Sequence, residues 1–299
     1  MKNTNTNSNH HSTTAIVLRL VEFSETSLVV TLLTRDLGRI SALAKGARRL
    51  KGPFEGSLDL LSVCRVTLIA KAGDTLDLLT ESKLRRRFRG GDRSLSRTYA
   101  GYYVAETLRW WLDDSERHEE LFDLTLATLG QIDGEGPVAE ILLAYDCQCL
   151  RLLGHAPATR ACSACGVKLD LLPQSGEQNA AAKTKLPRGR KIAFSLDGGG
   201  VVCEACRARQ SSLVLITHAT LQSLDGLLQK PTEAADEDTG GPPKEDTERE
   251  SNFPLTSLLP WVSETSYPEL RGLISRYMQS LLGRSLRMQP FLPGTIRRR

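Results

Sequence analysis

The sequence predicts an α+β protein of several domains: a five-stranded barrel first, then helices interrupted by a loop that carries four cysteines. Three observations predict it. Residues 15–80 are rich in β-branched side chains and broken by turn signals at short intervals, apolar spacing becomes helical from about Ser94, and two Cys-x-x-Cys pairs stand in the second half of the chain.

Each strand has its own signal. Segments 15–23, 28–34, 39–45, 58–69 and 75–80 carry the apolar and β-branched residues, and 24–27, 35–38, 46–56 and 72–74 carry the turn residues between them. Five short strands left as an open sheet would expose unpaired edges, so the spacing predicts closure into a small barrel. The helices follow the 3.6-residue period. Tyr99, Tyr103, Val104 and Leu108 mark one face, and Leu121, Leu124, Thr125 and Leu129 another. Pro137 suits the first turn of a third helix, which runs through Ile141, Leu142, Tyr145, Cys149 and Leu152 to Gly154. Two more are expected near 218–229 and 267–282, the last capped by Gly283.

Two stretches break the pattern. Segment 173–191 is polar and aperiodic, and 231–251 holds eight acidic residues, two basic ones and three prolines. Neither offers enough apolar surface to offset its ordering entropy, so both are expected to be disordered inserts.

Of the 299 residues, 40% are apolar and 25% charged, an ordinary globular composition. The net charge of +4 is unevenly spread: residues 1–100 hold 17 Lys and Arg against 9 Asp and Glu, while the remainder is slightly acidic. A basic first third suggests a polyanionic partner, with a solvated, salt-bridged surface as the alternative. No apolar run reaches the eighteen residues of a membrane span. The polar start, MKNTNTNSNHHSTT, lacks the apolar centre of a secretory signal, so a cytoplasmic, nucleoid-associated protein is expected, with residues 1–13, His10 and His11 included, as a disordered tail.

Four of the seven cysteines form the sharpest motif, Cys162-Ser-Ala-Cys165-Gly and Cys203-Glu-Ala-Cys206. Two intervening residues let a tight turn aim two thiolates at one ion, and Gly166 permits the backbone turn of such a knuckle. Two matched pairs predict one structural Zn2+ with all four positions filled, leaving no site for a catalytic water. The 37 residues between the pairs are long for this motif, and the 173–191 insert accounts for the excess. Gly198-Gly199-Gly200 is expected to shape the second knuckle. Cys64, Cys147 and Cys149 are assigned to packing.

The cations of the first third fall into two clusters. Lys45, Arg48, Arg49 and Lys51 occupy a loop with Gly46, Gly52 and Pro53, and Lys83, Arg85, Arg86, Arg87 and Arg89 leave the last strand. Lys and Arg suit phosphate by charge and counterion release, and Arg adds a bidentate fork. A five-stranded barrel with basic loops is the usual form of the oligonucleotide-binding OB-fold. Only Phe23, Phe54 and Phe88 are aromatic in the first ninety residues, which favours contacts to the nucleic-acid backbone over base stacking. No G-x-x-x-x-G-K-[ST] loop, G-x-S-x-G elbow or two-metal acidic cluster occurs, so the chain is not expected to be an enzyme.

Several stretches resemble the bacterial RecO family. They are Ala15-Ile16-Val17-Leu18 with Glu22-Phe23-Ser24-Glu25, and Leu37-Gly38-Arg39-Ile40-Ser41-Ala42-Leu43-Ala44-Lys45-Gly46-Ala47-Arg48-Arg49. Further along come Tyr99-Ala100-Gly101-Tyr102-Tyr103, Leu153-Gly154-His155-Ala156-Pro157, and Leu282-Gly283-Arg284-Ser285-Leu286-Arg287. The resemblance spans about residues 14–292 and departs in the tail and the two inserts. It implies an OB-fold over 14–82 and a helical domain over 83–160 and 211–292. A zinc-finger-like region over 161–210 lies between them, and a basic tail over 293–299 follows. It also implies binding of single- and double-stranded DNA, strand annealing, and recruitment by the C-terminal tail of single-strand-binding protein. Joint action with RecR to load RecA onto coated strands completes the expectation. Arg39, Lys45, Arg48, Arg49, Lys51, Arg85, Arg86 and Arg87 are the expected DNA contacts. Arg271, Arg276, Arg284 and Arg287, beside the apolar stripe of the last helix, are the expected partner contacts. The alternative is a zinc-stabilised scaffold that bridges proteins without touching DNA.

Overall fold

A computed structural model of the chain describes residues 9–49, 52–54, 56–71, 75–172, 191–231 and 253–293. The expectations for residues 1–8, Lys51, 173–190, 232–251 and 294–299 lie outside the described residues. The chain divides into two compact units, Met1–Glu135 and Gly136–Arg299.

The first unit is built on strands β1 (His10–Glu22), β2 (Leu28–Thr34), β3 (Gly38–Ala44), β4 (Val63–Ile69) and β5 (Asp77–Arg86). They close into a barrel in the order β1-β2-β3-β5-β4, with β4 returning to β1. Strand β1 is long because it serves two neighbours: its first half pairs with β4 from His10 to Ile16 and its second with β2 from Ala15 to Glu22. A bulge between Val17 and Arg19 bends the strand from one partner to the other. His10 and His11 therefore pair with Ile69 and Leu68, which corrects their reading as part of a disordered tail. The ladder to β4 supplies backbone partners that the polar sequence alone does not announce.

Alternation sets the interior. On β3, Ile40, Ala42 and Ala44 point into a core with Ala15, Val17, Val30, Leu32, Cys64, Val66, Leu68 and Leu79, while Arg39, Ser41 and Leu43 face outward. Small side chains suit the narrow bore, and Phe54 packs against this core from the loop before β4. Two strand bounds differ from expectation. Residues 58–62 are irregular, with Leu61 at φ 64°, so β4 begins at Val63; and β5 continues to Arg86, held by β4 as far as Val63. Gly38 has φ 72°, and a Cβ there would sit 2.0 Å from the carbonyl oxygen of Glu116, so only glycine fits this turn.

Helices α1 (Gly90–Arg93), α2 (Leu95–Trp111) and α3 (Glu119–Asp133) complete the same unit, so the boundary expected after residue 82 falls inside it. Ser94 caps α2 by accepting from the Arg97 amide, and Arg97 Nη1 donates to the Ile132 carbonyl at 2.7 Å, tying α2 to the end of α3.

The second unit centres on α4 (Val138–Leu152), whose residues 141–150 are all buried. Pro137 stands at the N-cap, one position before the first turn. Around α4 lie α6 (His218–Leu227), a 3-10 helix (Leu255–Trp261) and α7 (Tyr267–Leu282). Gln148 Nε2 donates to the Leu227 and Gln229 carbonyls at 2.6 and 2.9 Å, satisfying the open end of α6. Gly283 adopts the left-handed C-cap expected after α7. A small sheet, β7-β6-β8, comprises β6 (Ile192–Ser195), β7 (Gly200–Val201) and β8 (Leu213–Ile216), and a one-turn helix α5 (Glu204–Arg207) separates β7 from β8.

Arg271 corrects one expectation. Expected as a partner contact, it is instead buried, and its Nη1 lies 2.6 Å from Asp146 Oδ2 on α4, with the Ser275 hydroxyl accepting from its Nε and Nη2. Asp146 itself is fully buried, so each charge of the pair requires the other. Asp146→Asn, which strands the guanidinium, is expected to cost about 3 kcal/mol in urea unfolding, and Asp146→Leu combined with Arg271→Met to recover most of that loss. A cost of Asp146→Asn near zero would show that the pair does not hold α7 to α4.

Candidate metal centre and nucleic-acid surface

The four cysteines separated by sequence converge in the second unit. Cys162, Cys165, Cys203 and Cys206 place their sulfurs within 4.8 Å of one another. Local chain geometry explains how. At the first knuckle the Gly166 amide donates to the Cys162 carbonyl at 2.8 Å, with Gly166 at φ 73°, and the Cys162 amide donates to Val167. At the second, Cys203 is the N-cap of α5, and the Cys206 and Arg207 amides both donate to its carbonyl.

The knuckles are held together by a backbone clasp. Ala158 donates to the Gly199 carbonyl and accepts from the Val201 amide, both at 2.8 Å, and the Ser163 amide donates to Val201. This clasp needs Gly200: a Cβ there would lie 2.5 Å from the Ala158 carbonyl oxygen. The triple glycine thus shapes the second knuckle, as its position suggested. Phe194 on β6 packs edge-on against Tyr277 of α7 at 5.9 Å, and Tyr277 donates to the His155 carbonyl, anchoring the segment that leads to Cys162.

Glu269 fixes the other side of the small sheet. It accepts from the Thr217 amide and hydroxyl at 2.9 and 2.6 Å, from the Thr220 hydroxyl and from Lys191. Burial opposes its ionisation, but these hydrogen bonds outweigh it and bring the carboxyl down to about 2. The depressed value means that this clip stabilises the fold above the usual carboxylate range and is lost as pH falls through about 2.

The sulfur cluster has the electrostatics of a cation site. Burial works against a Cys162 thiolate, yet amides of Cys203, Cys165 and Ala164 overcome it and lower its pKa to about 6. Cys206, hydrogen-bonded by Cys203 and Cys165, is pushed up to about 12. Four thiolates at this spacing repel one another, and a divalent cation removes the conflict. Cys165 and Cys203 are 3.8 Å apart. That matches the edge of a tetrahedron with metal–sulfur bonds of about 2.3 Å. The four cysteines can hold a metal ion. The other three, Cys64, Cys147 and Cys149, are buried, and burial raises all three thiols.

The cations of the first unit fall into two kinds. Lys45, Arg48 and Arg49 are exposed on the loop after β3, and Arg85 and Arg87 are exposed at the end of β5. Arg48 meets Glu22 at 3.2 Å, and Arg87 donates to the Gly56 carbonyl at 3.1 Å. Arg39 and Arg86 are half-buried and structural in their contacts: Arg39 donates to the Arg109 carbonyl at 2.7 Å and lies 3.0 Å from Asp114, and Arg86 donates to the Leu126 carbonyl at 3.2 Å. The pairing of β3 with β5 is parallel, matching Ala42 with Asp77 and Ala44 with Leu79. Both strands therefore run toward the same end of the barrel. The loop from β3 returns along β5 there, accepting from the Ser82 amide at Pro53 and from Arg87 at Gly56. The two cation clusters thus follow strands that point the same way.

Arg276, Arg284 and Arg287 are exposed on and after α7, and Leu281 and Phe291 near them are 39% and 53% exposed. Of the expected stripe, Leu270, Leu273, Ile274 and Tyr277 are core, and Leu282 is half-buried. Among the described residues, no helix is long and apolar enough to cross a membrane. Sequence reasoning did not single out Arg19, Thr31, Ser41 or Trp110, which share a cleft on the barrel's outer face. Strand alternation was the signal that could have found the first three.

A barrel with basic loops is followed by a largely helical unit with a four-cysteine cluster, and known proteins give this arrangement a context. The family model described as "Recombination protein O N terminal" matches residues 9–88, and that described as "Recombination protein O C terminal" matches residues 93–237. A "DNA repair protein RecO" of Rhodopirellula baltica is 57% identical over 285 residues, covering 94% of this chain and 98% of the relative. Proteins of the same description are 30% identical over 71% of the chain in Anaeromyxobacter dehalogenans strain 2CP-C and 31% identical over 71% in Myxococcus xanthus; these matches cover 76% and 79% of the relatives. These similarities define a DNA repair protein. The chain belongs to the RecO family.

Metal analysis of reduced, purified protein is expected to give one bound divalent ion per chain, and Cys165→Ser with Cys206→Ser to abolish it. Less than half an equivalent in the unaltered protein would contradict the cluster's assignment.

Proposed function

We propose that the chain is a recombination mediator that binds single- and double-stranded DNA through the basic end of its barrel. The observation that carries this reading is the parallel β3–β5 pairing, which sends two cation clusters to one end. Lys45, Arg48, Arg49, Arg85 and Arg87 are the contacts from the described residues, with Lys51 beside them in sequence. Their targets are phosphates, which give affinity without sequence choice. The strand order, with one parallel pair closing an otherwise antiparallel barrel, supports its assignment as an OB-fold.

In the same reading, the four cysteines hold one structural Zn2+. Four thiolate ligands leave no open coordination position, so the ion ties the two knuckles together and supplies no catalytic water. The protein acts by binding, not by turnover. Family membership supports the further steps: annealing of complementary strands, and joint action with RecR to load RecA onto strands coated by single-strand-binding protein. The acidic C-terminal tail of that protein docks at Arg276, Arg284 and Arg287 beside Leu281 and Phe291. Arg271 takes no part, because Asp146 holds it in the core. In this reading the protein works in the cytoplasm, with the nucleoid.

Replacing Lys45, Arg48, Arg49 and Lys51 with Ala is expected to weaken binding to all sequences alike. It should also lower the slope of log affinity against log salt by about two to three units, from about 0.7 per lost single-strand contact. The side chains described here are exposed, so the melting temperature should stay within a few degrees. Unchanged affinity and slope in the folded variant would favour a scaffold that bridges proteins without touching DNA.

A further inference from the structure

The outer face of the barrel carries a feature that the basic end does not explain. Arg19 pairs with Thr31 across β1 and β2, and Thr31 pairs with Ser41 across β2 and β3, so the three form one row over three strands. The row faces outward because the alternate residues Val30, Leu32, Ile40 and Ala42 fill the core. The Thr31 and Ser41 hydroxyls are 3.5 Å apart. The C-terminal turn of α2 brings Arg109 and Trp110 beside this row and makes a cleft of 250 Å³, with Arg39 and Asp114 at its wall.

The chemistry of the cleft is specific. Arg19, Arg39 and Arg109 line the cleft with one carboxylate, Asp114, which Arg39 pairs at 3.0 Å, so the net charge of the lining favours an anion, and two hydroxyls add neutral donors. The C-terminus of a helix would repel that anion, but Arg39 donates to the Arg109 carbonyl there and offsets it. Arg19 is exposed and makes no ion pair with a described acidic residue, which leaves its fork available to a phosphate. Trp110 is 43% exposed and offers an indole beside these cations. An anion and a flat apolar ring at one place are the two halves of a nucleotide.

We propose that this cleft is a subsite for one nucleotide of a single strand, with the base stacked on Trp110 and its phosphate held by Arg19 and the Thr31 and Ser41 hydroxyls. Stacking requires a base with a free face, and bases inside a duplex have both faces covered. The subsite therefore selects single strands, whereas the basic end, reading phosphates alone, accepts both forms. The two surfaces are continuous along β3: Lys45 lies four residues beyond Ser41, about 13 Å at 3.3 Å per residue. The inference rests on the DNA-binding reading above and adds strand selectivity to it.

The test compares Trp110→Ala, Trp110→Phe and Arg19→Ala with the unaltered full-length protein, using an oligo-deoxythymidine strand and a duplex of equal length at one salt concentration. Trp110→Ala is expected to lose about tenfold or more in single-strand affinity. Its duplex affinity should change less than twofold, and Trp110→Phe should keep most of the single-strand affinity. Arg19→Ala should lower the single-strand salt slope by about 0.7. Unchanged single-strand affinity in Trp110→Ala, or equal losses on strand and duplex, overturns the subsite. If that happens while the four-residue loop variant still loses both ligands, the basic end stands alone. If the unaltered protein binds neither ligand, the DNA-binding reading itself fails.

Discussion

With β1 paired to both β2 and β4, the five-stranded sheet closes only where its third and fifth strands meet, and they meet in parallel over three residue pairs, Ala42–Asp77, Leu43–Leu78 and Ala44–Leu79. Much follows from that short seam. It removes the last open edges of the first unit's sheet, and it encloses the core of Ala15, Val30, Leu32, Ala42, Ala44 and Leu79. It also fixes polarity. An antiparallel meeting would send β5 away from the loop that follows β3. The parallel one sends Lys45, Arg48 and Arg49 and the end of β5, with Arg85 and Arg87, the same way. The basic end of the barrel is thus a consequence of how the barrel closes.

The second unit relies on a different constraint, the convergence of four cysteine sulfurs to within 4.8 Å of one another. Cys162 has amide donors that favour its thiolate, while Cys206 is pushed in the opposite direction by its cysteine neighbours. Such a cluster can hold a metal ion, whose charge would favour all four thiolates. The surrounding chain is organised to maintain it: Gly200 lets Ala158 approach, Tyr277 anchors the approach to Cys162, and Glu269 holds the corner between β8 and α6. The buried Asp146–Arg271 pair then secures α7, which carries both Glu269 and Tyr277, to α4.

What the sequence made legible follows physical range. The Cys-x-x-Cys spacing and the long helical periods are local, so the knuckles and α2, α3, α4, α6 and α7 could be read directly. Strands β6, β7 and β8 could not, because segments of two to four residues carry no measurable period. The pairing of His10 and His11 with β4 was hidden for another reason: a polar strand is held by its backbone ladder, and composition does not show that ladder. Arg271 was misread because its partner lies 125 positions away. Arg39 and Arg86 looked like phosphate contacts from sequence and are spent largely on backbone carbonyls, a distinction only tertiary structure makes. Trp110 was passed over because it lies outside the strands in which stacking aromatics were sought.

The proposed DNA-binding surface is the end of the barrel where β3 and β5 emerge. Photo-cross-linking of the full-length protein to a single-stranded oligonucleotide, followed by mapping of the linked peptides, tests it most directly. Cross-links are expected within residues 45–51 and 83–89. Cross-links confined to residues 136–293 would place the DNA on the other unit and contradict it.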